Sequence, residues 1–508
     1  MLLELHAHTS KHSACSNVDP VALVKKIVAK GIQGLVLTDH CYLWSPQEIE
    51  ELRKLAEVDS SFLIFPGQEA ETDIGHVLVF GADRSLTGTI SIDDLKREYP
   101  EAALVWAHPF RSGKMPAEDR ILDPRIDALE IFSNNHSIEE NYRGLLHWHR
   151  YKFTATSGSD THDISVAGKL PTQFDHPVKN ANELALEIKG GRCRPFFKEI
   201  PRAGSNIVVT EITLGTKGDD EVRDRIIVKK VRESKKWRKM RRSADFTEKL
   251  RAGAFGGPVY RVPRMMSVNE EDMSLMEEGQ RGKRLFDLMG SVSPSIASEY
   301  VKLAAKWLAR FHDAGIFIDE INETVEKESN RFERYGRIFN DTHSPYLKEM
   351  ESLIAWVAAE EERMLLGGKD GLVQNHGDFH PKNIIIGQDL THDIGTLFIS
   401  VIDFDSSILM PRAFDVGYFI AQLRNQVSGY PELLSKYESD FLNSYIRSAA
   451  NNTPEFMAEV AFFTVRANLS IASFLVKVGK GESPEMHKIV KRSLELKAAA
   501  GGIEGNTR

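Results

Sequence analysis

His6 and His8, in Glu4-Leu5-His6-Ala7-His8-Thr9, are the first residues of this chain whose spacing suggests chemistry. Along an extended strand alternate side chains share a face, so the pair aims two imidazoles at one point. Divalent zinc, manganese and iron all accept imidazole. Further histidines and carboxylates follow, each at the end of an apolar run. Leu35-Val36-Leu37-Thr38 leads to Asp39-His40, and Phe65-Pro66-Gly67 leads to Gln68-Glu69. Leu104-Val105-Trp106-Ala107 leads to His108, Ala128-Leu129 to Glu130, and Phe153-Thr154-Ala155 to Ser159-Asp160-Thr161-His162. Of 17 histidines, 11 lie before residue 180. Groups at successive strand ends meet at one mouth of a β/α barrel, so the series predicts a site for several metals. Such a site activates water at neutral pH and neutralises phosphoryl oxygens, with no serine or cysteine nucleophile. Cys15 and Cys41 lie beside these motifs without the spacing of a thiolate zinc site. Arg111 and Lys169 are candidates to grip a phosphate.

A second pattern lies far downstream, in His376-Gly377-Asp378-Phe379-His380-Pro381-Lys382-Asn383. The apolar strand Ile384-Ile385-Ile386 follows, and then Val401-Ile402-Asp403-Phe404-Asp405. An Asp and an Asn five residues apart on a tight loop, with a hairpin returning another Asp, suit ATP chemistry. Asp378 can orient a hydroxyl nucleophile while Asn383 and Asp403 hold magnesium on the nucleotide phosphates.

The elements that must position these groups divide the chain. Asp19-Pro20 opens a helix as N-cap and first residue, Gly31 ends it, and a strand follows at Gly34. This β/α alternation weakens after Gly190-Gly191, and Arg192 to Arg202, with prolines at 195 and 201, reads as a connector. The expected domains are 1–195 and 200–500, with a flexible tail at 501–508. At 508 residues and 42% hydrophobic content, the chain can supply more than one core. Three cysteines without paired spacing point to a reducing compartment. With no secretory signal and no uninterrupted apolar run near ~18 residues, a cytoplasmic protein without a membrane partner is expected. The formal charge of −8 argues against a general nucleic-acid binder. The basic run Arg232, Lys235, Lys236, Arg238, Lys239, Arg241 and Arg242 reads as a solvated helix face, with an anion-attracting patch as the alternative.

Residues 1 to about 195 resemble a PHP domain, of the polymerase and histidinol phosphatase family of metal-dependent phosphoesterases. The motifs that carry the resemblance are His6-Ala7-His8, Thr38-Asp39-His40, Pro66-Gly67-Gln68-Glu69, Ala107-His108-Pro109 and Ser159-Asp160-Thr161-His162. It implies an α/β fold, a distorted (β/α)7 barrel holding two or three metals. By that resemblance His6, His8, Glu69 and Asp160 surround one metal, Glu69 bridges to a second with His108, and His40 and His162 hold a third. An extra ligand after the first motif falls on His12, and one after the fifth strand on His136 or Glu130. His76 supports the site from outside.

Residues about 200 to 500 resemble the aminoglycoside phosphotransferase and choline kinase group, which has a two-lobed α+β protein-kinase-like fold. The resemblance implies ATP and magnesium as cofactors and a small-molecule hydroxyl as acceptor. It makes Asp378 catalytic, Asn383 and Asp403 magnesium ligands, His376 and His380 supporting histidines, and Asp415 a structural acid. In Ile226-Ile227-Val228-Lys229-Lys230-Val231 the phosphate-reaching lysine is Lys229, with Lys230 as alternative. Gly204, Ser205 and Asn206 resemble the loop over the nucleotide, with one glycine in place of several, and Glu277 lies in the segment resembling the hinge that faces adenine. The acidic partner of the strand lysine is open between Glu233 and Glu248. Together the two resemblances imply a bifunctional enzyme acting on a small-molecule phosphoester and on a hydroxyl-bearing acceptor. A nucleotide-sensing module controlling the hydrolase, and a nuclease-type hydrolase, are the alternatives.

Overall fold

A computed structural model describes residues 1–204, 206–217, 223–318, 321–367, 371–389, 393–427, 431–449 and 453–504. The chain divides into two units, Met1–Lys229 and Lys230–Arg508.

In the first unit the helix Pro20–Ala29 starts where the sequence requires. The Asp19 carboxylate accepts the Ala22 N–H at 2.8 Å, and Leu23, Val24 and Ile27 are buried. The helix Pro46–Ala56 begins with a reciprocal cap between Ser45 and Glu48. Strands Leu2–Glu4, Gly34–Leu37 and Leu63–Pro66 run parallel, and Thr172–Phe174 and Cys193–Pro195 add antiparallel to complete a five-stranded sheet. A second five-stranded sheet holds Gln68–Thr72, Gly75–Phe80, Ala103–Trp106, Ala128–Phe132 and Ala155–Ser157.

The expected seven-stranded barrel is therefore not seen among the described residues; two mixed sheets stand in its place. The cause is local. At Gly67 an added Cβ would lie 2.7 Å from Val36 Cγ1 and 3.0 Å from Phe80 Cδ1, so only glycine lets the chain pass from one sheet to the other there. The hairpin that follows, with Glu69↔Leu78 in register, introduces antiparallel pairing. Single bridges join the sheets at Ala7↔Thr161 and His40↔Glu69. Leu3, Val36 and Phe65 from one sheet and Leu78, Phe80 and Val105 from the other share one core. The bridges bring the chemically loaded strand ends together.

The expected connector is mostly strand. Phe197–Ala203 pairs antiparallel with Ile207–Leu214, from Phe197↔Leu214 to Ala203↔Val208. The Phe197 ring lies 5.6 Å from Phe132 and 6.0 Å from Trp148, so this ladder packs onto the first unit.

The second unit is largely helical. Its core gathers Trp307, Phe379, Phe404, Phe419 and Phe441 around the helices Pro294–His312, Ala413–Gln426 and Pro454–Lys477. Pro454–Lys477 is long and apolar enough to cross a membrane by length and composition, but 78% of its most apolar window is buried. Arg466, near its middle, pairs with Glu328 and Glu361, as a core helix can and a lipid-facing one cannot. Strand Ile384–Gln388 pairs with Leu397–Val401, and Leu372–Asn375 with Ile408–Pro411. The helix Pro484–Glu504 runs into the expected flexible tail, which gives way to helix over 501–504.

Candidate functional site

In the first unit His6, His8, His40, His76, His108 and His162 converge on the carboxylates of Glu69 and Asp160. His8 Nε2 lies 3.1 Å from Glu69 Oε2 and 3.2 Å from Asp160 Oδ1. His6 Nε2 is 3.5 and 3.4 Å from the same two oxygens. His40 Nδ1 lies 3.1 Å from Glu69 Oε2, while His76 and His108 reach Glu69 Oε1 at 2.8 and 3.1 Å. His162 Nδ1 is 3.4 Å from Asp160 Oδ1. His76, expected outside the cluster, thus touches its central carboxylate.

Other residues hold these groups in place. Glu130 Oε1 lies 2.9 Å from His6 Nδ1 and its Oε2 accepts the His108 N–H at 3.0 Å. Buried Glu4 accepts from Ser159 N and Oγ and from His6 N, fixing the strand ends before Asp160. Asp39 takes hydrogen bonds from Thr9, Ser13 and Trp44. Neither Glu4 nor the orienting role of Glu130 was anticipated; acidic residues beside ligand motifs were the available signal. His108 and Asp160 have φ of 32° and 45°, a region side chains with a Cβ enter at a cost of roughly 1–3 kcal/mol.

The donor set fits divalent cations. The sets His6–His8–Asp160, His8–His40–His162 and His40–Glu69–His76 each bring their ligand atoms within 4.8 Å of one another. His6 Nε2 faces His8 Nε2 at 3.1 Å, and buried Asp160 Oδ1 has no hydrogen-bond partner. Burial alone would depress His6, but Asp160, Glu130 and Glu69 outweigh it and hold the imidazole well above its usual range. Burial would raise Glu69; His6, with His108 and His76, holds it well below the carboxylate range. The field that draws protons here draws cations equally. A cavity of about 310 Å³ opens onto the cluster, lined by Cys15, Arg111 and Asn135 besides the ligand side chains.

Other expected residues fall outside these three ligand sets. His12 Nε2 lies 2.9 Å from Glu48 Oε1, with its ring stacked 3.6 Å from Tyr42, which turns it away. His136 Nδ1 lies 3.2 Å from Asn141 Oδ1, and its Nε2 is buried without a partner. Lys169 pairs with Asp224 at 2.5 Å, which occupies its charge, while Arg111 does line the cavity.

In the second unit the loop after strand Leu372–Asn375 is tied down by Asp415, whose carboxylate accepts the His376 and Gly377 N–H groups at 2.6 and 2.9 Å. Gly377 has φ 80°, and a Cβ there would sit 2.0 Å from the Ser406 carbonyl oxygen. His312 Nε2 lies 3.4 Å from Asp415, and the ring of His376 lies 3.1 Å from the Ile402 carbonyl through Nε2. Asp378 stands at the loop's centre. Its Oδ1 accepts from the Tyr418 hydroxyl at 2.6 Å and lies 3.5 Å from His380 Nε2. Its Oδ2 accepts from Asn383 Nδ2 at 3.1 Å. Burial pushes this carboxyl up, but His380 and Tyr418 outweigh it and bring it down to about 2, so Asp378 is ionised at neutral pH. Asp403 has φ 71° and stands beyond Ile402, whose N–H donates to the Asn383 carbonyl at 3.0 Å. The hairpin so sets Asn383 against Ile402, one residue before Asp403, and both side chains carry oxygen donors of the kind magnesium takes.

Glu277 is buried on strand Ser274–Gly279, and the neighbouring Glu278 N–H donates to the Arg264 carbonyl at 2.9 Å. Gly204 and Asn206 lie in the turn between the two strands that follow Pro195, where the Gly204 N–H donates to Ile207 O at 2.7 Å; Ser205 lies outside the described residues. Lys229 is half-buried on strand Arg225–Val231, and Lys230 is exposed and paired with Asp272 at 3.2 Å. Glu248 accepts the Met265 N–H at 2.9 Å. The basic run lies on the helix Ser234–Ala252, where Arg241 pairs with Asp245 and Glu270 and Arg242 with Glu323, a largely solvated face.

Residues 216–457 match the phosphotransferase enzyme family known as APH, so the C-terminal part of this mixed α/β chain carries a kinase-like phosphotransferase domain. Among solved structures it is similar to an ethanolamine kinase from Plasmodium vivax, at 16% identity over 60% of this chain and 81% of that one, TM-score 0.38. A choline kinase from Cryptosporidium parvum shares 12% identity over 60% and 89%, TM-score 0.41. An aminoglycoside phosphotransferase from Streptomyces rimosus shares 17% over 52% and 90%, TM-score 0.38. No curated protein matches the chain.

Proposed function

We propose that the protein couples two phosphoryl chemistries in one chain. The C-terminal domain transfers phosphate from ATP to the hydroxyl of a small molecule, and the N-terminal region hydrolyses a small-molecule phosphoester as a PHP-type enzyme. The boundary that the sequence suggests, near residues 195–200, is kept as part of this reading.

For the C-terminal reaction the carrying observation is the ionised, doubly hydrogen-bonded Asp378 beside Asn383. Asp378 orients the acceptor hydroxyl for in-line attack, Asn383 and Asp403 would hold magnesium, and Lys229 would engage the phosphates. Magnesium there would neutralise charge on the transferring group. Because little covalent chemistry falls to the protein, the chain's contribution is positioning and electrostatics. That the similar solved structures are ethanolamine, choline and aminoglycoside kinases agrees with a small-molecule hydroxyl as acceptor. The test is phosphoryl transfer from ATP to a panel of amino alcohols, aminoglycosides and sugars, with Asp378→Asn as control. ATP binding without transfer to any member overturns the kinase reading in favour of a nucleotide sensor.

For the N-terminal reaction the carrying observation is the convergence of His6, His8, His40, His108 and His162 on Glu69 and Asp160. Divalent cations held there would polarise a phosphoryl group and lower the pKa of water. The chain itself holds the ligands in register through Glu4, Asp39 and Glu130 and offers Arg111 at the cavity to a phosphate oxygen. Elemental analysis of protein purified without chelators, beside hydrolysis of 4-nitrophenyl phosphate, tests this. Full hydrolysis by metal-free protein sinks it.

A further inference from the structure

Asp378 is not held by its own loop alone. The Tyr418 hydroxyl, on the helix Ala413–Gln426, donates to Asp378 Oδ1 at 2.6 Å. That hydroxyl accepts from Gln422 Nε2 at 3.1 Å, and Gln422 Oε1 accepts from Gln426 Nε2 at 3.2 Å. The three side chains stand four residues apart, on one face of the helix. Every donor in the row points the same way, from Gln426 through Gln422 and Tyr418 to the carboxylate. Chains of this kind polarise one another, and in a buried setting each bond strengthens the next. Tyr418 is 8% exposed, while Asp378, Gln422 and Gln426 are half-buried.

The geometry has a consequence for a carboxylate that must orient a hydroxyl. A carboxylate on two rotatable bonds can present either oxygen, in many planes. Here Tyr418 fixes Oδ1 from the helix and Asn383 fixes Oδ2 from the loop, so both the rotamer and the plane are set. We propose that Tyr418, fixed by Gln422 and Gln426, is the positioning residue that sets the orientation of the Asp378 carboxylate toward the acceptor hydroxyl. This rests on the phosphotransferase reading of Asp378.

The experiment uses the full-length protein, with water as the acceptor. In Mg-ATP hydrolysis, Tyr418→Phe, which keeps the ring, should lower kcat about tenfold and leave KM for ATP within about twofold. Gln422→Leu should lower kcat in the same direction by less. A second readout needs no turnover: the Asp378 side-chain carboxyl 13C resonance, assigned by its loss in Asp378→Asn, should shift in Tyr418→Phe. An unmoved resonance with unchanged kcat overturns the proposal, as does a kcat loss that comes only with lost ATP affinity. If wild type hydrolyses no ATP and transfers to no acceptor, the phosphotransferase reading falls; the resonance then decides alone whether Tyr418 orients the carboxylate. Should Tyr418→Phe not fold, Gln422→Leu supplies both readouts.

Discussion

The two candidate sites reach an ordered carboxylate by opposite routes. In the second unit, His376, Asp378, His380 and Asn383 come from one short stretch, and hydrogen bonds from Tyr418 and Asn383 already satisfy the central carboxylate. In the first unit the groups come from positions 6 to 162, and imidazoles crowd both carboxylates while Asp160 Oδ1 stays without a hydrogen bond. One is complete as a hydrogen-bonded device that recruits a nucleotide from outside. On the proposed reading, the other is a set of ligand side chains that cations would complete electrostatically. Ligand loss should therefore be catastrophic in the first site and graded by role in the second.

The largest effect is expected at Glu69, which His6, His8, His40, His76 and His108 all approach. Glu69→Gln should abolish metal retention and lower phosphoester hydrolysis by about 10³-fold or more, while ATP binding by the second unit is unchanged. Metal content and 4-nitrophenyl phosphate hydrolysis measure the first effect, and ATP titration the second. Normal metal content with intact hydrolysis would break the contrast between the sites.

In the second site the effects should separate. Asp378→Asn should lower phosphoryl transfer by about 10²–10⁴-fold with ATP affinity within a few-fold. Asp403→Asn should weaken Mg-nucleotide binding as well as turnover, because its role is on the metal. Calorimetric titration of Mg-ATP beside a transfer assay distinguishes them. Equal losses of affinity in both variants would mean that Asp378, too, binds metal.

How much of this was legible in the sequence differs between the regions for a physical reason. The C-terminal loop is local, so order and spacing pointed to Asp378, Asn383 and Asp403, and the resemblance to a phosphotransferase added His376 and the tethering Asp415. Tyr418 was missed because it reaches the site from a helix, and its only signal was its position one turn after Asp415. In the first unit the strand-end rule pointed to the side chains that converge on Glu69 and Asp160, because strand ends are fixed by apolar runs. The resemblance to a PHP domain also pointed to His12 and His136, which lie in loops where neighbours decide direction: Tyr42 and Glu48 hold one, and Asn141 the other. The barrel was overread because periodicity does not report that Gly67 turns the chain into an antiparallel hairpin. The proline-bearing stretch after Arg192 looked like a connector, yet Phe197 packs on Phe132 and Trp148. A fragment ending at residue 196, which lacks Phe197, should accordingly melt several degrees below one ending at residue 229, a difference that thermal unfolding monitored by circular dichroism reads.

The smallest effect concerns a third carboxylate, which sharpens the contrast by being neither satisfied nor catalytic. Glu361 and Glu328 share Arg466 in the helical core, with Arg466 Nε 3.1 Å from Glu361 Oε1. Burial, and then the neighbouring charge of Glu328, push Glu361 up to about 8 against an ordinary 4.5. The sign follows from linkage. A carboxyl with a folded-state value above its unfolded one favours folding in its protonated form, so its contribution is fully present below about pH 4.5 and is lost as pH rises towards about 8. Glu361→Gln keeps the shape and the neutral form at every pH. It should thus match wild-type melting near pH 5 and exceed it near pH 9, where the wild type must hold a second buried anion beside one guanidinium. Melting temperatures of the two proteins across that range measure the divergence. If the variant is instead less stable at pH 9 than wild type, Arg466 compensates both glutamates, and this buried trio belongs with Asp378 among the carboxylates the fold has already satisfied.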